Sequence, residues 1–101
     1  MRVVATSEAL AQLETRKKWW RANRSATADL FDEEFLEAVA LIGERPELFP
    51  LHRRIGGREI RRVLMEKTAC HLYYEVEEAT RTVLIISAWG AARGIPPILK
   101  R

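Results

Sequence analysis

A single cysteine, two histidines and the lack of any long apolar run set the outer limits of what this chain can be. One cysteine cannot close an intramolecular disulfide, which excludes the small stapled scaffolds of secreted proteins and suits a reducing cytosol. Within a strand pattern, Cys70 reads as a small buried hydrophobe and not as a reactive thiol. No stretch approaches the ~20 apolar residues that a membrane-spanning helix needs. The opening residues, MRVVATSEAL, lack the apolar centre of a secretory signal. The expectation is therefore a cytoplasmic chain without membrane contact. Gly-rich phosphate loops are also missing, because IGGRE has neither the Walker nor the dinucleotide-binding spacing. The two histidines and the cysteine do not form a zinc pattern, and no Ser–His–acid series is recognisable. Neither a metal nor a cofactor is expected.

What is present fits one domain covering residues 1–101, with a hydrophobic share of 48% that is too high for a disordered chain. The net charge of +3 conceals segregation. Arg16, Lys17, Lys18, Arg21 and Arg24 crowd one region, and Arg53, Arg54, Arg58, Arg61 and Arg62 another. Acids gather between them at Asp29, Asp32, Glu33, Glu34 and Glu37. Such a layout is either a solvated mixed surface or the counterpart of an acidic partner; the second cluster, which borders a strand, points to function.

Patterning gives the element order. Arg2–Ala5 reads as a short strand, and Ser7 as the cap of a helix running to about Asn23 with Leu10, Leu13 and Trp20 on its apolar side. Ser25 or Thr27 then caps a second helix whose stripe is Phe31, Phe35, Ala38, Val39 and Ile42, loosened by Gly43 and ended by Pro46. PELFPLHRRIGGR reads as a loop. Three strands follow, roughly Glu59–Met65, Ala69–Val76 and Thr82–Trp89, joined by gaps short enough for hairpins. The last strand is apolar on both faces, Val83 and Ile85 against Leu84 and Ile86. The fold class is α+β, β-α-α-β-β-β, with an N-terminal helical hairpin packed on an antiparallel sheet.

Candidate functional residues are few. His52 reads as a solvated loop residue, while His71, Tyr73 and Glu75 share one strand face, either as a polar ladder or as an acid–base group acting on RNA. Arg61 and Arg62 are adjacent on a strand and so point to opposite faces; one must reach the helix-covered layer or its rim and find partners there. Either could pair with Glu75 or bind an acidic partner. Trp89 and Arg93, beside Gly90 and Gly94, suit protein or nucleic-acid contact, with Trp89 otherwise capping the core. The candidates for binding a target or partner are Arg58, Arg61, Arg62, Tyr73, Trp89 and Arg93, and no catalytic residue is assigned.

The succession WWRANRSATADLFDEEFLEAVALIGERPELFP, GREIRRVLMEKTACHLYYEV and TVLIISAWGAARG resembles the RelE/ParE superfamily of bacterial toxins, from about Leu10 to Gly94. The helix ending in ERP, the strands IRRVLM and YYEV, and the terminal AWGAAR carry the likeness. The resemblance implies the toxin of a type II toxin–antitoxin system, held in a hetero-oligomer with a cognate, ParD-like or similar, antitoxin. RelE-like members are implied to cut mRNA on the ribosome with basic residues and often a C-terminal Tyr or His; ParE-like members are implied to poison DNA gyrase without enzymatic activity. The tail GAARGIPPILKR holds neither Tyr nor His, which favours the ParE-like, plasmid-stabilising branch. Ribosome-dependent mRNA cleavage is the alternative, and a basic module gripping phosphate, with steeply salt-dependent affinity, is a third reading.

Overall fold

Apolar spacing decides the first half of the chain and strand pairing the second. The structure, a computed structural model, describes residues 1–94 and 96–99, the side chain of Arg93 excepted. Among the described residues it contains two α-helices and a five-stranded mixed sheet, an α+β arrangement. The elements are β1 (Arg2–Ala5), α1 (Ser7–Asn23), α2 (Leu30–Glu44), β2 (Leu51–Ile55), β3 (Arg58–Met65), β4 (Cys70–Glu77) and β5 (Thr82–Gly90). The sheet order is β1-β5-β4-β3-β2. None of the described helices is long and apolar enough to cross a membrane.

The expected sheet was antiparallel and one strand smaller. The three predicted strands do form a meander, but β1 joins it parallel to β5, with Val3 opposite Val83 and Ala5 opposite Ile85, so the sheet is mixed. β5 lies between β1 and β4, with Val83 and Ile85 buried under the helices and Leu84 and Ile86 only partly buried on the other face. The segment read as a loop contains β2, which pairs with β3 across a two-residue turn at Gly56 (φ 54°) and Gly57 (φ 81°). Positive φ at both positions is the geometry that matches strand twist in a tight hairpin. LHRRI escapes recognition because an edge strand that is largely exposed has no apolar alternation to show.

The helix starts also shift. Thr6, not Ser7, caps α1: its extended backbone still donates from N to Ile85 O as the end of β1, while its hydroxyl accepts from Ala9 N at 3.1 Å. Ala9, Leu13 and Trp20 face the core, and Leu10, one position off that line, is 55% exposed. Ser25–Thr27 forms a separate 3₁₀ turn, and α2 starts at Leu30 with no side-chain bond from Asp29. The predicted α2 stripe does pack inward, with Phe31, Ala38 and Ile42 buried and Phe35 and Val39 against them. The helix ends at Glu44, before Pro46.

Gly43 serves close packing and not looseness. The Met1 ammonium donates to Gly43 O at 2.7 Å, and a Cβ at Gly43 would lie 3.1 Å from both Met1 O and Val3 Cγ2. Gly43→Val is therefore expected to push β1 off α2 and to destabilise the fold by about 1–3 kcal/mol. Thermal denaturation measures it, and an unchanged midpoint would show that β1 yields freely.

Both helices cover one face of the sheet, α1 along β5 and α2 against β1 and β3. Cys70 and Tyr74 lie in this core, as expected. Burial pushes the Cys70 thiol up to about 11, which leaves it inert as a nucleophile at neutral pH. Burial likewise pushes Tyr74 up to about 12, and its hydroxyl donates to Pro46 O at 2.6 Å.

Candidate functional site

Two β-bulges shape the face of the sheet that the helices leave uncovered. In β2 the register passes from Leu51 opposite Arg61 to Arg53 opposite Ile60, so His52 is the extra residue. In β5 it passes from Ile85 opposite Tyr74 to Ser87 opposite Tyr73, so Ile86 is extra. A bulge re-aims the side chains around it. Without the second one, strict alternation would send Trp89 to the core face with Val83 and Ile85; instead Ala88 enters the core and Trp89 comes opposite His71 on the uncovered face.

The result is a cleft of about 210 Å³ lined by His52, Arg62, His71, Tyr73 and Trp89, together with Gly90, Ala91, Gly94 and Pro96. Tyr73 is its hub, 1% exposed. His52 packs edge-on against the Tyr73 ring at 4.9 Å between centroids, and His71 does so at 6.1 Å. His52 is thus no solvated loop residue; it is half-buried on a strand. Sequence reasoning missed it because its partner, Tyr73, is contributed by a strand two places across the sheet.

Both imidazoles titrate below their ordinary value of 6.5. Burial is the largest cause for each; the Arg62 charge adds to both, with Arg53 further lowering His52 and His52 further lowering His71. The unfolded chain therefore takes up protons near pH 6.5 that the folded chain refuses. Stability from these sites is complete above that pH and is lost as pH falls through the folded values. Melting temperature is expected to drop on acidification from pH 7, and the double substitution His52→Asn with His71→Asn to flatten the acid side of that profile.

The remaining candidates are placed as follows. The Arg62 side chain makes no hydrogen bond or ion pair among the described residues and lines the cleft, while its backbone N donates to Pro50 O at 3.2 Å. Arg61 points to the other side, where its Nη1 donates to Phe49 O at 2.8 Å, the rim partner that strand alternation demanded. Neither pairs with Glu75. Arg58 does, through two bonds of 2.5 and 2.9 Å, which removes Glu75 from the expected trio with His71 and Tyr73. The Arg93 side chain lies outside the described residues. The first basic cluster is largely engaged within the chain: Lys17 and Arg21 pair with Asp29 and Asp32, and Arg16 donates to Thr68 O.

The uncovered face is less open than its sequence suggested, since Ile60 and Tyr73 are both buried on it. Its apolar remainder is a second cleft, of about 660 Å³, with Leu84 and Ile86 on its floor and Thr6, Glu8, Gly56 and the Arg58–Glu75 pair around them. Among the described residues, no group of three or more His, Cys, Asp or Glu side chains is placed to hold a metal ion.

Comparison of the chain with models of known protein families, and with curated proteins, finds no match.

Proposed function

We propose that this chain is the toxin of a type II toxin–antitoxin pair and that it acts on RNA, as a ribosome-dependent mRNA endoribonuclease. The observation that carries the reading is the convergence of His52, Arg62, His71 and Tyr73, from three strands, in one cleft. Cleavage of RNA by its own 2′-hydroxyl needs a base for the 2′ proton, an acid for the leaving 5′ oxygen and a cation for the phosphorane charge. Two imidazoles and a guanidinium without an ion-pair partner among the described residues provide that set. The 2′-oxygen–phosphorus bond forms as the phosphorus–5′-oxygen bond breaks, leaving a 2′,3′-cyclic phosphate and a 5′-hydroxyl. Neutral histidine is the form that accepts the proton, and the lowered values keep it available at pH 7. A bound phosphate next to Arg62 would raise one imidazole toward the protonated form that the acid role requires.

This departs from the preference that the sequence gives to gyrase, because two imidazoles in one cleft offer the proton transfer that the tail does not. The tail keeps gyrase as a second reading: residues 90–101 contain no Tyr or His. The cleft floored by Leu84 and Ile86 suits the antitoxin segment that either reading requires, and the charged residues around it suit a peptide of mixed character. Primer extension on mRNA after induction separates the readings. New 5′ ends on translated messages are expected; their absence, with gyrase cleavage complexes formed by the purified protein, would replace the RNA reading with the gyrase one.

A further inference from the structure

A third cleft, of about 280 Å³, opens between α1 and the end of β5, lined by Ala11, Gln12, Thr15, Arg16 and Trp19 on the helix and Ala88, Trp89 and Gly90 on the strand. It shares Trp89 and Gly90 with the histidine cleft, so the two adjoin there. Its volume falls just under the range of drug-sized sites, the scale of a single flat ring system.

Two features define what it would take. The first is a flat layer on the helix. Trp19 is 42% exposed, with the Arg16 and Arg24 guanidinium groups 4.8 and 5.6 Å from its ring centroid, and Trp89 belongs to the strand side of the lining. Indoles and guanidinium planes are the surfaces on which unstacked bases lie. The second feature is a set of donors without acceptors. Gln12 Oε1 accepts from Ala88 N at 2.8 Å and from Ser87 Oγ at 3.1 Å, where β1 has ended and the β5 edge needs a partner. Those bonds fix the amide orientation, and its N–H groups bond to nothing among the described residues. Arg16 Nε is buried and unpaired, although Nη2 of the same group donates to Thr68 O. A phenyl or indole ring from a peptide has no acceptors to offer these groups; a nucleobase carries ring nitrogens and carbonyl oxygens around its edge.

We propose that this cleft is a nucleobase subsite, taking one unstacked base of single-stranded RNA next to the phosphate held at the histidine cleft. The inference rests on the RNA reading above. The base lies against the Trp19–Arg16 layer, and a small rotation of the guanidinium brings Arg16 Nε to an acceptor on its edge.

The test is an equilibrium titration of the full chain with an RNA hexanucleotide, 2′-O-methylated throughout so that it cannot be cleaved, against the same oligonucleotide made abasic at each position in turn. One abasic position is expected to weaken binding about tenfold, the size of a lost base–aromatic stack. Trp19→Ala should bind the intact oligonucleotide as weakly as the unaltered chain binds that abasic one, and Trp19→Phe should recover most of the affinity. A walk with no sensitive position would overturn the inference even in a chain that cleaves RNA. So would an equal loss by Trp19→Ala on intact and abasic RNA. The walk on the unaltered chain decides the matter if Trp19→Ala does not fold. Base sensitivity that persists in a chain that never cleaves RNA supports the subsite and removes only the catalytic reading.

Discussion

Replacing His71 or His52 with Asn is expected to slow single-turnover cleavage of ribosome-bound mRNA by about 10²–10⁴-fold, the usual contribution of a positioned acid or base. The double variant should cost much less than the product of the two, because residues that move one proton pair act as a unit. Asn keeps polarity and approximate shape beside Tyr73, so a loss of rate with an unchanged melting temperature at pH 7 would mark chemistry and not packing. Arg62→Ala tests the remaining member. Removing a preorganised donor from a developing phosphorane costs about 10²–10³-fold, and Arg62→Lys should restore part of it, since charge returns without the planar fork. Arg58→Ala is the contrasting case. Its guanidinium is committed to Glu75 through two hydrogen bonds, so its loss should lower stability and leave the pH dependence of cleavage in place. Cleavage at the original rate by the His52, His71 and Arg62 variants would end the case for this cleft as the catalytic one.

Glu34→Ala is expected to be the most damaging substitution of a half-exposed side chain. The Glu34 carboxylate on α2 accepts from Lys67 N at 2.7 Å, Thr68 N at 2.9 Å and Thr68 Oγ1 at 2.6 Å, tying the β3–β4 turn to the helix layer. Thr68 is wholly buried, and the next residue, Ala69, takes a left-handed φ of 53°. Truncating Glu34 leaves the Thr68 amide and hydroxyl buried without an acceptor. Each such group costs about 1–3 kcal/mol, for a combined loss on the order of 3 kcal/mol. In a domain of this size that lowers the melting temperature by roughly 15 °C. Glu34→Gln keeps an acceptor oxygen and should lose less than half as much. Equal melting temperatures for Glu34→Ala and the unaltered chain would mean that the turn finds other partners at no cost. By contrast, the exposed pairs of Lys17 and Arg21 with Asp29 and Asp32 should each contribute at most about 1 kcal/mol, less in high salt.

Legibility followed the range of the interaction. The α2 stripe, the helix stop before Pro46 and the three-strand meander could be read directly, because they depend on residues a few positions apart. So could the division of labour between Arg61 and Arg62, since alternation along a strand forbids both from facing the same way. The Thr6 cap and the β2 strand were missed by small margins: two adjacent hydroxyls compete for one cap, and an edge strand rich in arginine looks like a loop. His52 was misread for a larger reason. Its environment is made by β4, which follows it by some twenty residues in the chain and reaches it across β3.

By itself the sequence determined an α+β chain with a helical pair shielding one face of a sheet, a buried thiol, and two adjacent arginines driven to opposite faces. Periodicity and steric alternation are local, and they suffice for that much. The tertiary structure alone decided where the chemistry lies. A one-residue bulge at Ile86 reverses the side on which Trp89 emerges, and another at His52 turns an imidazole onto Tyr73; neither insertion leaves a mark in composition, because a bulge exists only relative to the strand it pairs with.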